Sequence, residues 1–356
     1  MPEENLPSPP APGRIRKILL RCGVIFLETL LLIVIALYAV MFVLAKGPSP
    51  TARNLFVLSV RETSAVGFLA GFFFSDEEIA RMETPSDREE YTDTDPSLVV
   101  IPSSPQPGTL TADAWGLVDE DGDGIILENI RGEGYRGYMM VVLDPSRVIM
   151  GSKVEDFGIR GYTVAEMVEK FDAVAGINAG GFYDPGGNGN GSIPDTMVVS
   201  DGQIYYAELG TAEGFAGFDK NHILHVGRFT AQDVLDREIQ TGVCFGPVLI
   251  ANGEPRPADS LPSGINPRTG IGQRSDGAVL LLVIEGRQVT SLGATYYDMV
   301  EIFQSYGAVN ACNLDGGSSS MMWFEGDYVN KCASVVGIRP VPTTFLVMKE
   351  GVDSNG

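Results

Sequence analysis

One stretch of the chain combines residue types that bind anions. An apolar run ends at Asp315 and is followed by Gly316, Gly317 and three serines. Glycines let a backbone approach a ligand closely, and the N–H groups and hydroxyls after such a turn can hold an anion. Upstream, Arg268 supplies a planar cation that suits phosphate or carboxylate. Together these residues predict an enzyme that acts on a phosphorylated or acidic substrate.

A second candidate site follows a buried-type strand over 173–178. That strand ends at Asn178 and opens into Gly180, Gly181 and Asp184, followed by a loop rich in glycine and asparagine over 185–191. Functional residues are concentrated on loops that a rigid element positions. The pattern predicts a second part of a binding site, with an elaborate turn as the alternative.

The composition excludes some classes of function. The chain has 356 residues, of which 44% are hydrophobic, and a formal net charge of −21. Nucleic-acid binding and adhesion to anionic lipid both need a basic surface, so this charge argues against them. No internal repeat is evident.

The cysteines and histidines give no strong metal pattern. There is no C-x-x-C pair, and His222 and His225 fall on an alternating, strand-like segment that favours a structural role. A disulfide between Cys312 and Cys332 would bracket the Asp315 loop, with Cys244 as the other candidate partner. Buried free thiols are the alternative.

Metal binding by oxygen ligands stays open at two places. The acidic segment 119–125 is similar to the first half of an EF-hand loop, but Ile130 stands where a bidentate glutamate is needed, so an acidic turn is predicted. Asp315, with Asn178 or Asp184, could instead ligate Ca²⁺ or Mg²⁺. No metal ligand is assigned.

The N-terminal region predicts a membrane anchor. Residues 1–17 form a basic cytoplasmic tail, 18–45 form a transmembrane segment, and Val24 to Leu44 is long enough to cross a bilayer as a helix. Positive charge before the segment and acidity after it place the body outside the cytoplasm, at the plasma membrane. A cleaved signal peptide is the alternative.

The rest of the chain predicts one α+β domain that is rich in β-strands and contains a few helices. Residues 46–112 are assigned to an amphipathic helix, over 51–74, and an acidic linker. Residues 113–350 are assigned to the main domain and 351–356 to a tail. A helix is predicted from the Thr163 cap, and a single strand is predicted over 244–250.

Several motifs together resemble the phosphodiester glycosidase family over about 135–350. Their order and spacing match that family: they are Ile177-Asn178-Ala179-Gly180-Gly181-Phe182, Gly246-Pro247, Asn266-Pro267-Arg268-Thr269-Gly270-Ile271-Gly272, Glu285-Gly286-Arg287, Asn313-Leu314-Asp315-Gly316-Gly317-Ser318-Ser319 and Arg339-Pro340-Val341-Pro342-Thr343. This sequence departs from the family pattern at two small residues. Ala179 stands within the Asn-Gly-Gly-Phe that is common in the family, and Gly270 stands where the family commonly has alanine.

The resemblance implies a hydrolase that cleaves a sugar-1-phosphodiester, such as an N-acetylglucosamine-1-phosphodiester, at the glycosidic bond. An envelope or exopolysaccharide glycan is the implied partner. Asp315, Arg268 and Asn178 are the catalytic candidates, with Arg268 as phosphate clamp and Asp315 as nucleophile, general base or charge stabiliser. The substrate-binding candidates lie beside them and are Gly180, Gly181, Asp184, Asn188, Asn190, Thr269, Gly316, Gly317, Ser318 and Ser319.

Other interpretations remain open. Arg268 could pair with a structural acid, and Asp315 could cap the turn that follows it. At the level of function, the alternatives are a polysaccharide- or wall-binding domain without catalysis, and a glycosyl or phosphoglycosyl transferase.

Overall fold

A computed structural model describes residues 12–63, 66–84, 93–102, 112–185, 189–207, 210–334 and 336–351. The chain divides into two compact units, Met1–Phe56 and Val57–Gly356. The predicted domain start at Asp113 and the predicted tails stay predictions.

The first unit contains one long apolar helix, α1 (Pro12–Lys46). Its segment Arg16–Lys46 is long and apolar enough to cross a membrane, and its large apolar side chains are exposed. An exposed apolar helix of this length is typical of a membrane span or of a signal sequence.

The segment after α1 forms separate short helices. The prediction of one helix through 51–74 is wrong, because α2 (Pro50–Arg61) ends at Arg61 and a 3₁₀ helix follows at Gly67–Phe72. The Ser75 hydroxyl accepts from the Glu78 N–H and caps the start of α3 (Asp76–Glu83).

Three antiparallel sheets form the second unit. The seven-stranded sheet has the order β1-β2-β13-β12-β14-β10-β11, and the two five-stranded sheets have the orders β16-β15-β4-β17-β3 and β6-β5-β9-β7-β8. The strands are β1 (Ile125–Gly132), β2 (Tyr135–Val142), β3 (Val148–Gly151), β4 (Ala173–Asn178), β5 (Val198–Ser200), β6 (Gln203–Tyr205), β7 (Glu213–Asp219), β8 (Leu224–Phe229), β9 (Ile239–Cys244), β10 (Val248–Ala251), β11 (Glu254–Pro255), β12 (Arg268–Arg274), β13 (Val279–Ile284), β14 (Ala308–Leu314), β15 (Met322–Phe324), β16 (Asp327–Tyr328) and β17 (Thr344–Met348).

One central core joins the three sheets. Alternate residues of their strands meet in it, for example Ile177 of β4, Val243 of β9 and Leu314 of β14. The outer faces carry smaller apolar clusters that include residues of the helices α4 (Val164–Lys170), α5 (Ala231–Asp236) and α6 (Tyr296–Ser305). The predicted α+β class with few helices is therefore confirmed.

Several elements lie where local sequence signals predict them, but one predicted strand is wrong. The Thr163 cap and the strand at 173–178 are confirmed. The single strand over 244–250 is in fact two strands of different sheets, β9 and β10, separated by Phe245-Gly246-Pro247. Proline has no N–H to donate to a sheet ladder, which disfavours a continuous strand there.

Candidate functional site

Asn178 joins the ends of three strands beneath Asp315. Its side chain is fully buried, and its Nδ2 donates to the Asp315 carbonyl at 2.6 Å. Its Oδ1 accepts from the Thr269 hydroxyl at 2.9 Å and from the Met321 N–H at 3.1 Å. Asn178 and Thr269, predicted to contact substrate, thus bond to protein groups and fix the end of β14, from which Asp315 projects.

Asp315 has the environment of an acid–base group. Burial raises the pKa of its carboxyl to about 7, against the opposing effects of a hydrogen bond from Ser319 and the charge of Arg339. The nearby acids Asp195 and Asp184 raise it further. A carboxyl that titrates near neutral pH suits proton transfer, because it can both take and give a proton there.

Arg339 and Asp184 form an ion pair beside this carboxyl. Their Nη2 and Oδ1 atoms are 2.8 Å apart, and Arg339 Nη1 donates to the Ser318 hydroxyl at 3.3 Å. Burial alone would raise the pKa of Asp184. The hydrogen bonds from Arg339 and the Gly189 N–H have the larger combined effect, so the pKa of Asp184 is lowered. The Arg339 guanidinium also lies 5.0 Å from the centre of the Phe182 ring. The site therefore holds a fixed cation with an ionised partner.

A cavity of about 340 Å³ lies beside Asp195, which is close enough to Asp315 to affect its pKa. Asp195, Phe245 and Gly181 contribute to its lining, along with Glu213 and Arg228. A Cβ at Gly181 would lie 3.1 Å from both Asp195 Oδ2 and the Phe245 ring, so a side chain there would crowd these two groups. Partial burial and the charge of Asp184 raise the pKa of Asp195. The cavity offers an aromatic wall and polar groups, as sugar-sized ligands require.

Arg268 lies in a different environment from the one predicted. Its Nη2 bonds to Glu62 Oε2 and to the Gly264 carbonyl, both at 2.7 Å, and its Nε donates to the Ala294 carbonyl. The guanidinium stacks over Tyr296 at 4.1 Å. It therefore pairs with an acid of the protein, which is the structural alternative the sequence left open. A contact between Arg268 and phosphate stays a prediction.

The remaining predicted residues divide into two groups. Gly316, Gly317 and Ser319 follow Asp315 in a 3₁₀ turn, Gly317–Ser319, where Gly317 has a φ of +63° and donates its N–H to the Pro267 carbonyl. On the other loop, the Gly180 N–H bonds to the Thr343 hydroxyl, and the Asn190 side chain bonds within its own turn to Ser192. Asn188 lies outside the described residues.

The cysteines are free. Cys312 and Cys244 are buried, Cys332 is partly exposed, and Cys312 is not paired with Cys332. Burial raises the pKa of the Cys244 thiol to about 12, which disfavours a reactive thiolate.

Two places considered for metal binding from the sequence contain hydrogen bonds within the protein, and the carboxylates of Asp119, Asp121 and Asp123 lie within 4.8 Å of one another. In the acidic loop, the Asp119 carboxylate accepts the N–H groups of Gly122 and Gly124, as in a turn. His225 is buried against Asp219, with Nε2 and Oδ2 3.2 Å apart, so it belongs to the structure of that hairpin.

Two residues of the cluster were not among the sequence-based candidates. Arg339 and Asp195 approach Asp315 closely enough to affect its pKa. Arg339 belongs to a motif that carried the family resemblance, so its guanidinium could have been proposed from the sequence. Asp195 has no comparable signal, because the loop that carries it meets Gly181 only in the folded chain.

Comparison with known proteins connects this segment to one family. The profile described as "Phosphodiester glycosidase" matches residues 171–348, which is half of the chain. The uncharacterized SPbeta prophage-derived protein YomE of Bacillus subtilis is 34% identical over 194 residues, covering 52% of this chain and 29% of YomE. The mouse N-acetylglucosamine-1-phosphodiester alpha-N-acetylglucosaminidase is 27% identical over 150 residues, covering 36% of this chain and 28% of that protein.

The matches span less than a third of the length of either relative. Among solved structures, the catalytic domain of the zebrafish N-acetylglucosamine-1-phosphodiester alpha-N-acetylglucosaminidase, auto-inhibited by its pro-peptide, superposes with a TM-score of 0.53 at 19% identity. That match covers 64% of this chain and 82% of the zebrafish domain, and at this identity it supports the fold alone. The matched segment contains Asn178, Asp184, Asp195, Asp315 and Arg339, and the chain belongs to the phosphodiester glycosidase family.

Proposed function

We propose that the chain hydrolyses sugar-1-phosphodiesters at the glycosidic bond and that Asp315 is its general base. One observation carries this proposal: a carboxyl with a pKa of about 7 lies beside the Arg339–Asp184 pair, within the segment that matches the family. The membership of the family implies a hydrolase. The substrate class and the residue roles are the proposal.

The reaction needs little acid catalysis. Water attacks the anomeric carbon, the bond between that carbon and the phosphate oxygen breaks, and its electron pair leaves with the phosphate monoester. Asp315 takes the proton of the attacking water. The main requirement is electrostatic, because the diester anion must be held while positive charge develops on the sugar ring.

The site has groups for both halves of such a substrate. Arg339 presents a fixed guanidinium next to the Ser318 hydroxyl, and we assign it to the phosphodiester. We assign the sugar to the cavity beside Gly181, where its apolar face packs on Phe245 and its hydroxyls bond to Asp195. Asp184 keeps Arg339 in place.

We further propose that α1 is an uncleaved anchor with a cytoplasmic N-terminus and that the body acts outside the plasma membrane. The apolar length of α1 and the basic residues before it support this orientation. An envelope or exopolysaccharide glycan is then the substrate source.

The test is a panel of sugar-1-phosphodiesters offered to the full-length chain in detergent micelles. UDP-N-acetylglucosamine should yield free sugar and UDP, and methyl-phospho-N-acetylglucosamine should yield free sugar and methyl phosphate. Transfer of sugar to an added acceptor glycan in preference to water would favour a transferase. Binding of glycan without turnover of any diester would favour the non-catalytic module.

A further inference from the structure

The carboxylate of Glu62 receives three hydrogen bonds from a distant loop. Gly264 N–H donates at 2.8 Å, Asn266 Nδ2 at 2.9 Å and Arg268 Nη2 at 2.7 Å. The Arg268 side chain is only 5% exposed and that of Glu62 is 26% exposed. Because Arg268 is buried, removal of Glu62 would leave the charge of Arg268 without its counter-charge, so the contact connects the two segments.

The backbone around Glu62 fits the same loop closely. The Ser59 hydroxyl accepts from the Ile265 N–H at 2.8 Å. A side chain at Gly264 would lie 2.1 Å from the Ser59 backbone nitrogen, so the two backbones are in contact and only glycine allows it. Arg287 Nη2 adds a bond to the Thr63 hydroxyl at 3.0 Å. Residues 59–63 therefore dock on the loop by shape as well as by charge.

This loop touches the candidate site at two points. The Pro267 carbonyl accepts the Gly317 N–H at 2.8 Å, two residues after Asp315. The Thr269 hydroxyl bonds to Asn178, whose amide holds the Asp315 carbonyl. Two short chains of hydrogen bonds thus lead from the docked loop to the backbone of Asp315 and Gly317.

We propose that Glu62 is a positioning residue: it holds the 264–269 segment, and through it the turn that presents Asp315. Residues 57–63 then belong to the catalytic body, although they precede the predicted domain start at Asp113. The activity part of this inference rests on the proposed function. The structural part does not.

The test compares Glu62→Gln with Glu77→Gln in the full-length chain. Glu77 is a matched control, because it is 79% exposed and forms an ion pair with Arg81 on its own helix. Glu62→Gln should increase amide hydrogen exchange in the peptide that covers Asp315 to Ser319, whereas Glu77→Gln should not. This readout needs no substrate, so it decides the structural part even if no diester is hydrolysed.

The kinetic readout separates positioning from general stability. Glu62→Gln should lower kcat by between about tenfold and a hundredfold with little change in KM, because a misplaced reacting group slows the chemical step. The pH midpoint of kcat/KM should also shift downwards, since water that enters a loosened turn favours ionised Asp315. Both effects are expected at temperatures well below the Tm of each variant.

A second variant leaves the charge of Glu62 intact. Gly264→Ala should reproduce the faster exchange and the lower kcat by separating Ser59 from the loop, whereas Gly71→Ala, at a glycine with open space around it, should not. Exchange and kcat in Glu62→Gln equal to those of Glu77→Gln would overturn the proposal. A rise in kcat would also overturn it, because Glu62 would then be an inhibitory contact.

Discussion

Asn178 Nδ2 lies 2.6 Å from the Asp315 carbonyl oxygen, so a fully buried amide of one strand holds the backbone of the proposed base at the end of another. The same side chain also accepts two hydrogen bonds at Oδ1. Its role in the structure is to fix Asp315, which is a different role from contact with the substrate.

Asn178→Ala should therefore affect stability and activity together. It leaves buried donors and an acceptor without partners, which costs about 2 to 4 kcal/mol of unfolding free energy. Urea unfolding monitored by circular dichroism measures this loss, and kcat should also fall. Asn129→Ala, at an exposed position of an edge strand, is the control and should change neither quantity. An unchanged unfolding midpoint in Asn178→Ala would contradict the assigned role.

The pH dependence of the reaction tests the role of Asp315. Since burial raises its pKa to about 7, a general base should be protonated and inactive in acid. We expect kcat/KM to rise with pH through about 7 and then to level off. A profile that falls through the same range would instead identify Asp315 as a general acid.

The same pKa predicts a pH-dependent stability. Between about pH 4 and pH 7 the folded chain keeps a proton on Asp315 that the unfolded chain has lost, so this group makes stability fall as pH rises through that window. Asp315→Asn removes this effect. The unfolding free energy of the variant should exceed that of the wild type by about 1 to 3 kcal/mol at pH 8 and should equal it at pH 4. One pKa unit corresponds to about 1.4 kcal/mol, and solvent access reduces the total below the full pKa difference.

Thermal unfolding at the two pH values measures that difference. Asp236→Asn, at an exposed position, is the matched control and should show no pH-dependent gain. An equal Tm change for Asp315→Asn at both pH values would mean that Asp315 titrates normally.

Arg339 should matter chiefly for the anionic part of the substrate. Arg339→Met removes the partner of Asp184 and the donor to Ser318, so KM for a phosphodiester should rise at least tenfold, by about 1.4 kcal/mol or more. Arg339→Lys should recover only part of the loss, because lysine lacks the planar fork. Arg160→Met, at an exposed ion pair with Glu166, is the control. Equal KM values in all these variants would remove Arg339 from the phosphate site.

The fold was predictable where its signals are local. The signals for the buried run of β4 and for the Thr163 cap each lie within a few residues of sequence, and both predictions are confirmed. The strand β12 was not predicted, because its glycines have low strand propensity and only its place between two neighbours makes it a strand.

The site was predictable only in part, for a similar reason. The Asp315 and Asn178 segments were found from their own composition, and the structure brings them into contact. The pairing of Arg268 with Glu62 joins residues 206 positions apart, and that of Arg339 with Asp184 is also non-local. The sequence around each arginine does not show which acid it bonds to. Phosphate binding was therefore predicted for Arg268, and Arg339 was not among the candidates.

The most direct test of the account is hydrolysis of methyl-phospho-N-acetylglucosamine in ¹⁸O-labelled water by the wild type and by Asp315→Asn. Cleavage at the glycosidic bond predicts that the label enters the sugar and not the phosphate, and that Asp315→Asn loses turnover. Label in the phosphate would identify a phosphodiesterase that breaks the other bond. Wild-type turnover in Asp315→Asn would contradict the central claim that Asp315 is the base.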